Sequence, residues 1–177
     1  MRKWILLASL VVLGLLCLFS GTLFPETPVD EKSIPEFSSA DIAWMLVSSA
    51  MVLIMTPGLG FFYGGMVRKK NVISTILQSF IAMGVITVVW VVIGFGLAFG
   101  DSIGGIIGNP SKFLFFSNVG TKSAWSLAPT IPLILFAVFQ MKFAIITPAL
   151  ISGAFAERIR FWGYLLFIIL FSLFIYS

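Results

Sequence analysis

One apolar segment of this chain, residues 128–155, contains phenylalanines and an amide whose spacing would allow them to line a pore. Phe136, Phe139 and Phe143 are spaced i, i+3 and i+7, so on a helix they share one face. Such a stripe serves either as a pore lining or as packing, and packing is the more common use. Gln140 lies on a neighbouring face, and its amide needs a hydrogen-bond partner inside the protein if the helix spans a membrane.

Lys142 is the one charge in the same segment. A charged side chain within a membrane span is costly and by default indicates a function. Two interpretations stay open. In the first, the amino group lines a polar cavity or pairs with a partner. In the second, the side chain reaches the membrane surface or lies at a protein contact.

The composition excludes most other chemistry. The 177 residues are 59% apolar and 10% charged, whereas soluble domains are about 45–50% apolar and about 25% charged. The chain has no histidine and one cysteine, Cys17, which removes histidine bases, disulfide frameworks and cysteine zinc sites. The 11 basic residues are scattered beside apolar runs, a pattern typical of membrane orientation and not of nucleic-acid binding. We therefore predict a polytopic membrane protein that is not an enzyme and needs no cofactor.

The chain divides into a signal peptide, a linker and four apolar spans. Arg2 and Lys3 precede an apolar run, which predicts a signal peptide over residues 1–22, with an uncleaved anchor as the alternative. The acidic, proline-containing residues 23–41 predict an extracytoplasmic linker. The partial membrane domain, 42–177, is predicted to be all-α, because about 20 apolar residues suffice to cross a bilayer. Its spans are predicted at about 42–67, 72–99, 128–155 and 161–176, with a glycine-rich loop between the second and the third.

Basic residues orient these spans. Lysine and arginine concentrate at residues 2–3, 68–70 and 158–160, and placing all three groups in the cytoplasm satisfies the positive-inside rule. The mature N-terminus then lies outside. Two local features add detail: Gly60 and Gly64 form a GxxxG pattern that favours close helix packing. Glu157 and Arg158 suggest either an ion pair at the membrane surface or a helix end.

Three stretches together carry a family resemblance. Residues 44–71 read WMLVSSAMVLIMTPGLGFFYGGMVRKKN, residues 139–150 read FQMKFAIITPAL, and residues 152–161 read SGAFAERIRF. In this order they resemble the N-terminal part of the ammonium transporter family (Amt/Mep, related to Rhesus proteins). The resemblance runs from about Trp44 to the end of the chain.

The resemblance implies an architecture larger than this chain. Members have eleven transmembrane helices, arranged as two five-helix halves in an inverted repeat with a final helix. They form homotrimers in the cytoplasmic membrane, and each subunit has its own pore. For full-length members, the resemblance also implies a PII-type regulator as a possible partner. The four spans here would correspond to the first four helices.

The resemblance also assigns roles to the residues of the aromatic stripe. Phe143 matches the outer gate by its place in FQMKFA, and its ring face would attract ammonium by a cation–π interaction. Phe139 and Gln140 match neighbouring positions with supporting roles. Lys142 is adjacent to the gate but points about 100° away from it on a helix. The two pore histidines of the family are absent from this chain and would lie beyond Ser177.

The expected function is that of an ammonium transporter subunit, of which this chain is the N-terminal part. It would conduct ammonium or ammonia when full length. The alternative is a truncated, non-conducting membrane subunit or an ammonium sensor that associates with complete trimers through Gly60 and Gly64. Reading the gene past codon 177 separates the two, because a continuing frame with two histidine-bearing helices would favour the transporter.

Overall fold

The computed structural model describes residues 36–105 and 107–177. The predicted signal peptide, 1–22, and most of the predicted linker lie outside the described residues. The described part is a helix bundle with one structured loop. Its helices are α1 (Ser39–Met66), α2 (Val72–Val89), α3 (Phe95–Phe99), α4 (Leu133–Phe155) and α5 (Phe161–Phe171). A 3-10 turn precedes α2 (Lys69–Asn71), and π-helical turns join α2 to α3 (Trp90–Gly94) and follow α5 (Ser172–Tyr176).

Helix α1 begins at a side-chain cap. The Ser38 hydroxyl oxygen accepts a hydrogen bond from the backbone N–H of Asp41 at 3.3 Å, and Asp41 in the first turn complements the helix dipole. The helix therefore starts three residues before the predicted span. Pro57 in α1 and Pro148 in α4 both lie inside helices that continue past them.

Three helical segments are long and apolar enough to cross a membrane. They are Ser39–Met66, Lys69–Phe99 and Leu133–Phe155. The segment Phe161–Tyr176, predicted as a fourth span, is a shorter apolar helix. The described part of the chain therefore has the helix lengths and composition of a multi-pass membrane protein.

The third long helix begins at Leu133 and not at the predicted Ala128. Residues Ala128–Pro132 form an extended strand instead, β4, paired antiparallel with β3 (Ala124–Trp125). Prolines explain the difference, because a residue that precedes proline is disfavoured in the helical region, and Pro129 and Pro132 place two such residues here.

A second small hairpin also corrects the all-α prediction. Strand β1 (Ser102–Ile103) pairs antiparallel with β2 (Ile107–Gly108). Gly104 and Gly105 in the turn have φ values of +64° and +77°, the left-handed region that glycine adopts at little cost. The loop 100–132 is thus structured by two hairpins, although the membrane part is helical.

The core lies between α2, α4 and α5. Helix α1 packs against α2 and α4, and α2 packs against α4 and α5. Helix α1 contributes few buried residues, and much of its apolar surface is exposed. The fully buried apolar residues include Ala82 and Ile86 of α2, Trp90 of the turn that follows α2, Ala137 and Ala144 of α4, and Tyr164 and Ile168 of α5.

Candidate functional site

Two phenylalanines of α4, the exposed Phe143 and the half-buried Phe139, form a ring pair. The centroids of Phe139 and Phe143 are 5.1 Å apart and the rings meet edge to face at 71°, as the i, i+4 spacing allows. Phe143 keeps 37% of its surface exposed. Its carbonyl accepts a second hydrogen bond, from the Thr147 hydroxyl at 2.8 Å. The predicted gate residue therefore presents an aromatic surface that no other described helix covers completely.

Phe139 and Gln140 also line a cleft of about 370 Å³. Helix α1 also lines the cleft, where Asp41 supplies a carboxylate and Trp44 an indole ring. Phe143 is not among the lining residues and reaches the cleft only through its contact with Phe139. A carboxylate beside aromatic faces is an arrangement that attracts small cations. The other lining residues are Met45, Phe136 and those from Leu127 to Ile131.

Phe136 has a different role from its neighbours on the stripe. Its ring stacks on Trp125 with centroids 6.0 Å apart and planes 10° from parallel. The edge of Phe99 approaches it at 5.1 Å. The predicted stripe therefore divides in two: Phe136 chiefly packs the loop onto the bundle, whereas Phe139 and Phe143 contact each other and only Phe143 is exposed.

The two polar residues of this segment have no hydrogen bond or ion pair with any other part of the chain that the structure describes. Gln140 faces the cleft with its amide free. Lys142 is partly buried and is not among the residues that line the cleft. Within residues 36–105 and 107–177 no group of three acidic, cysteine or histidine side chains is placed to hold a metal ion.

The glycines of the GxxxG pattern are covered by α2. A Cβ atom at Gly60 would lie 3.1 Å from the Cβ of Ser79, and one at Gly64 would lie 2.8 Å from Cγ1 of Ile76. Both glycines are buried. They allow α1 and α2 to approach closely, and this face is therefore not free to receive another chain.

At the end of the bundle away from the loop 100–132, a carboxylate joins the turns that follow α1 and α4. One oxygen of Glu157 accepts hydrogen bonds from the backbone N–H of Arg68 at 2.8 Å and from Nδ2 of Asn71 at 2.9 Å. Its other oxygen lies 3.8 Å from Nε of Arg68. The hydrogen bond from Asn71, followed by that from the Arg68 backbone, lowers the pKa of Glu157. The sequence suggested Arg158 as a partner, but the carboxylate instead joins the loop after α1 to the loop after α4.

Three aromatic side chains make the helix contacts that sequence reasoning missed. The Tyr63 hydroxyl donates to the carbonyl of Leu150 at 2.7 Å, the Trp90 indole N–H donates to the carbonyl of Ala137 at 3.1 Å, and the Tyr164 hydroxyl donates to the carbonyl of Gln78 at 3.2 Å. A polar tip on an aromatic ring in an apolar helix was the available signal, because buried Tyr and Trp usually find a partner. These bonds fix α4 and α5 against α1 and α2.

The described part of the chain has the general features of a helical membrane protein: three long apolar helices, small residues at their contacts and an aromatic cleft at one end. Residues 43–177 match the model of the Ammonium Transporter Family, and the chain belongs to that family.

Individual relatives agree with this assignment. The chain is 50% identical over 149 residues to a Mycobacterium tuberculosis protein named ammonium transporter, a match that covers 77% of this chain and 31% of the relative. Crystal structures of Mep2 from Saccharomyces cerevisiae (37% identity, TM-score 0.71) and Candida albicans (30% identity, TM-score 0.70) share its fold. These matches cover 80% and 84% of this chain, and 31% of each Mep2 chain. The chain thus spans about a third of the length of these relatives.

Proposed function

We propose that this chain is the N-terminal part of an ammonium transporter that conducts ammonium or ammonia across the cytoplasmic membrane. Family membership and the names of its relatives support the substrate. The observation that carries the proposal to particular residues is the contact between exposed Phe143 and half-buried Phe139, which lines a cleft together with Asp41. We assign Phe143 as the outer gate, with Phe139 and Gln140 in supporting roles.

The cleft suits a small cation for three physical reasons. The face of an aromatic ring attracts a cation by about 0.5–1 kcal/mol at exposed sites and by more where water is excluded. The carboxylate of Asp41 adds a negative charge to the same cleft. The Gln140 amide oxygen is an acceptor that no described residue occupies, and ammonium has only N–H donors to offer. A cation that loses water here would meet Phe143 next, where the ring restricts passage.

We propose that the complete protein has the remaining architecture that the resemblance implies. This comprises eleven helices, a homotrimer with one pore per subunit, an outside mature N-terminus after a cleaved signal peptide, and a possible PII-type regulator. The distribution of basic residues supports the orientation. An inverted-repeat transporter forms its pathway between two halves, so conduction needs residues that follow the four helical segments of this chain.

Uptake by whole cells tests the proposal. The complete gene is expressed in cells that lack their own ammonium uptake, and entry of radiolabelled methylammonium is measured with and without competing ammonium. We expect saturable uptake that ammonium inhibits, and no uptake when only residues 1–177 are produced. An expressed, membrane-inserted complete protein without uptake would contradict the proposal.

The non-conducting subunit or sensor stays the alternative. Its proposed contact was through Gly60 and Gly64, and in the described part of the chain α2 packs against both glycines. The gene sequence beyond codon 177 remains the direct discriminator, because a frame that continues into two histidine-bearing helices is expected only for the transporter.

A further inference from the structure

Trp90 is the largest fully buried side chain in the part of the chain that the structure describes. It begins the π-helical turn Trp90–Gly94, in which the backbone N–H of Phe95 donates to the Trp90 carbonyl. A π-helical turn inside a longer helix is a wider turn that often marks a functional position. Here it brings the rings of Trp90 and Phe95 to a centroid distance of 5.9 Å. The turn therefore places both rings on one side of the helix.

This aromatic cluster holds α4 at two neighbouring residues. The indole N–H of Trp90 donates to the carbonyl of Ala137 at 3.1 Å, and this hydrogen bond is buried. The ring of Phe99, whose centroid lies 6.2 Å from that of Trp90, meets the ring of Phe136 edge to face. A hydrogen bond has a preferred direction as well as a length. The bond to Ala137 therefore restricts both the height and the rotation of α4 at this point.

The helix between Ala137 and Phe143 transmits that restriction to the proposed gate. Phe143 follows Ala137 by six residues of α4, which is about 9 Å along the axis and about 120° around it. Ala137, Met141 and Ala144 belong to the buried face of α4, whereas Phe143 is exposed. A rotation of α4 at Ala137 would therefore turn the ring of Phe143 by the same angle.

A second anchor on α4 lies beyond an interruption of the helix. The Tyr63 hydroxyl donates to the carbonyl of Leu150 at 2.7 Å. Pro148 lies between Phe143 and Leu150, and proline has no N–H to donate to the carbonyl of Ala144. Helices bend at such positions, so the Leu150 anchor restricts Phe143 less than the Ala137 anchor does. The two anchors have the same chemistry, an aromatic donor and a backbone carbonyl.

We propose that Trp90 is a positioning residue for the outer gate, and this inference rests on the proposed function of Phe143. Its indole N–H fixes the rotation of the first half of α4 through Ala137 and so holds the Phe143 ring face towards the cation. Without that hydrogen bond the first half of α4 rotates more freely, and the ring face leaves the path of the cation for part of the time. The cation–π attraction at the gate then weakens.

A double-mutant cycle in the complete transporter tests this proposal. Trp90 is replaced by a tryptophan analogue in which sulfur takes the place of the indole N–H, so the shape is kept and the donor is lost. The replacement is made in the unmodified protein and in Phe143→Ala. Tyr63→Phe is the matched control, because it removes the donor of the other anchor. Methylammonium uptake is measured against concentration, and an immunoblot gives the amount of transporter in the membrane.

We expect the analogue to raise the concentration for half-maximal uptake by about two- to fivefold, up to the effect of Phe143→Ala. The maximal rate per transporter should stay unchanged. The analogue should cause no further rise in Phe143→Ala, because residues that act through one another are not additive. Tyr63→Phe should leave the concentration unchanged. A rise of the same factor in both backgrounds, an equal rise in Tyr63→Phe, or no rise with the analogue would overturn the proposal.

Fluorine NMR reads the position of the gate ring without transport. The complete transporter carries 4-fluorophenylalanine at Phe143, and Trp90→Phe should shift or split its signal whereas Tyr63→Phe should not. An unchanged signal in Trp90→Phe would overturn the proposal. If the complete protein shows no uptake, the proposed function fails, and the fluorine signal still decides whether Trp90 positions Phe143. If Phe143→Ala impairs uptake and the analogue does not, only the role of Trp90 fails.

Discussion

The two ends of this helix bundle are closed in opposite ways. At the loop end, the rings of Trp90, Phe95, Phe99, Phe113 and Trp125 form one connected cluster, and neighbouring centroids lie 5.1–6.5 Å apart. Phe113 and Phe95 are buried there. At the opposite end, which we call the basic rim (residues 68–71 and 156–158), the carboxylate of Glu157 joins the turns after α1 and α4 through hydrogen bonds.

This difference gives the two ends different contributions to stability. Aromatic packing forms many contacts at fixed geometry, so the loop end holds strand β4 and the cleft in place. Exposed ion pairs contribute only about 0–1 kcal/mol, so the basic rim adds little stability. The loop end is therefore expected to hold its geometry more rigidly than the opposite end does.

The largest effect is expected from deleting an indole at the loop end. Trp90 is fully buried and donates to Ala137, so Trp90→Ala leaves a cavity and should lower the free energy of unfolding by about 3–5 kcal/mol. The matched control is Trp162→Ala beside the basic rim, where 59% of the side chain is exposed. Unfolding in detergent by circular dichroism measures both. Equal losses would contradict the difference between the ends.

An intermediate effect is expected where α1 meets α4. A Cβ atom at Gly153 would lie 2.6 Å from the ring of Tyr63, so Gly153→Ala forces the ring away and strains its hydrogen bond to Leu150. Overpacking of this kind costs about 1–3 kcal/mol. Gly65→Ala in α1 is the control, because no atom lies within 4 Å of the new methyl group. The same unfolding assay measures both variants. If Gly153→Ala leaves the free energy of unfolding unchanged, the Tyr63 ring moves aside at little cost, and the prediction is wrong.

The smallest effect on stability is expected at the basic rim, where pH provides the test. Because the pKa of Glu157 is lowered in the folded chain, its contribution to stability is present above the unfolded value of about 4.3. It is lost as the pH falls through the folded pKa. NMR signals of the Asn71 side-chain amide and the Arg68 backbone amide should shift with this titration. In Glu157→Gln the acid-dependent shift should be absent, and a shift that persists there would assign it to another group.

Much of the fold follows from local sequence, because the backbone hydrogen bonds of each long helix form within the apolar run that predicted it. The start of α4 did not follow. Residues 128–132 carry no charge, so they were counted with the apolar run, but Pro129, Pro132 and the pairing with Ala124–Trp125 make that stretch a strand. The start of α1 did not follow either. The Ser38 cap places it three residues before the predicted span, and a hydropathy scan does not register such a cap.

The candidate site was predictable where its residues are close in the chain. Phe139, Gln140 and Phe143 lie within one helical turn and a half, so their shared location required only helical spacing. Asp41 and Trp44 of α1 line the same cleft, although about 100 residues of sequence separate them from Phe139 and Gln140. The contact between Arg68 and Glu157 spans 89 positions. No periodicity encodes such contacts, since they depend on how whole helices pack.

Uptake of methylammonium by a Phe143→Ala variant of the complete transporter tests the central claim most directly. Phe80→Ala is the matched control, because Phe80 is a phenylalanine of similar exposure on α2, 43% against 37%. Losing a cation–π contact of about 0.5–1 kcal/mol predicts a concentration for half-maximal uptake about two to five times higher for Phe143→Ala. Phe80→Ala should leave uptake unchanged. Equal uptake by both variants and the unmodified protein would contradict the assignment of Phe143 to the ammonium pathway.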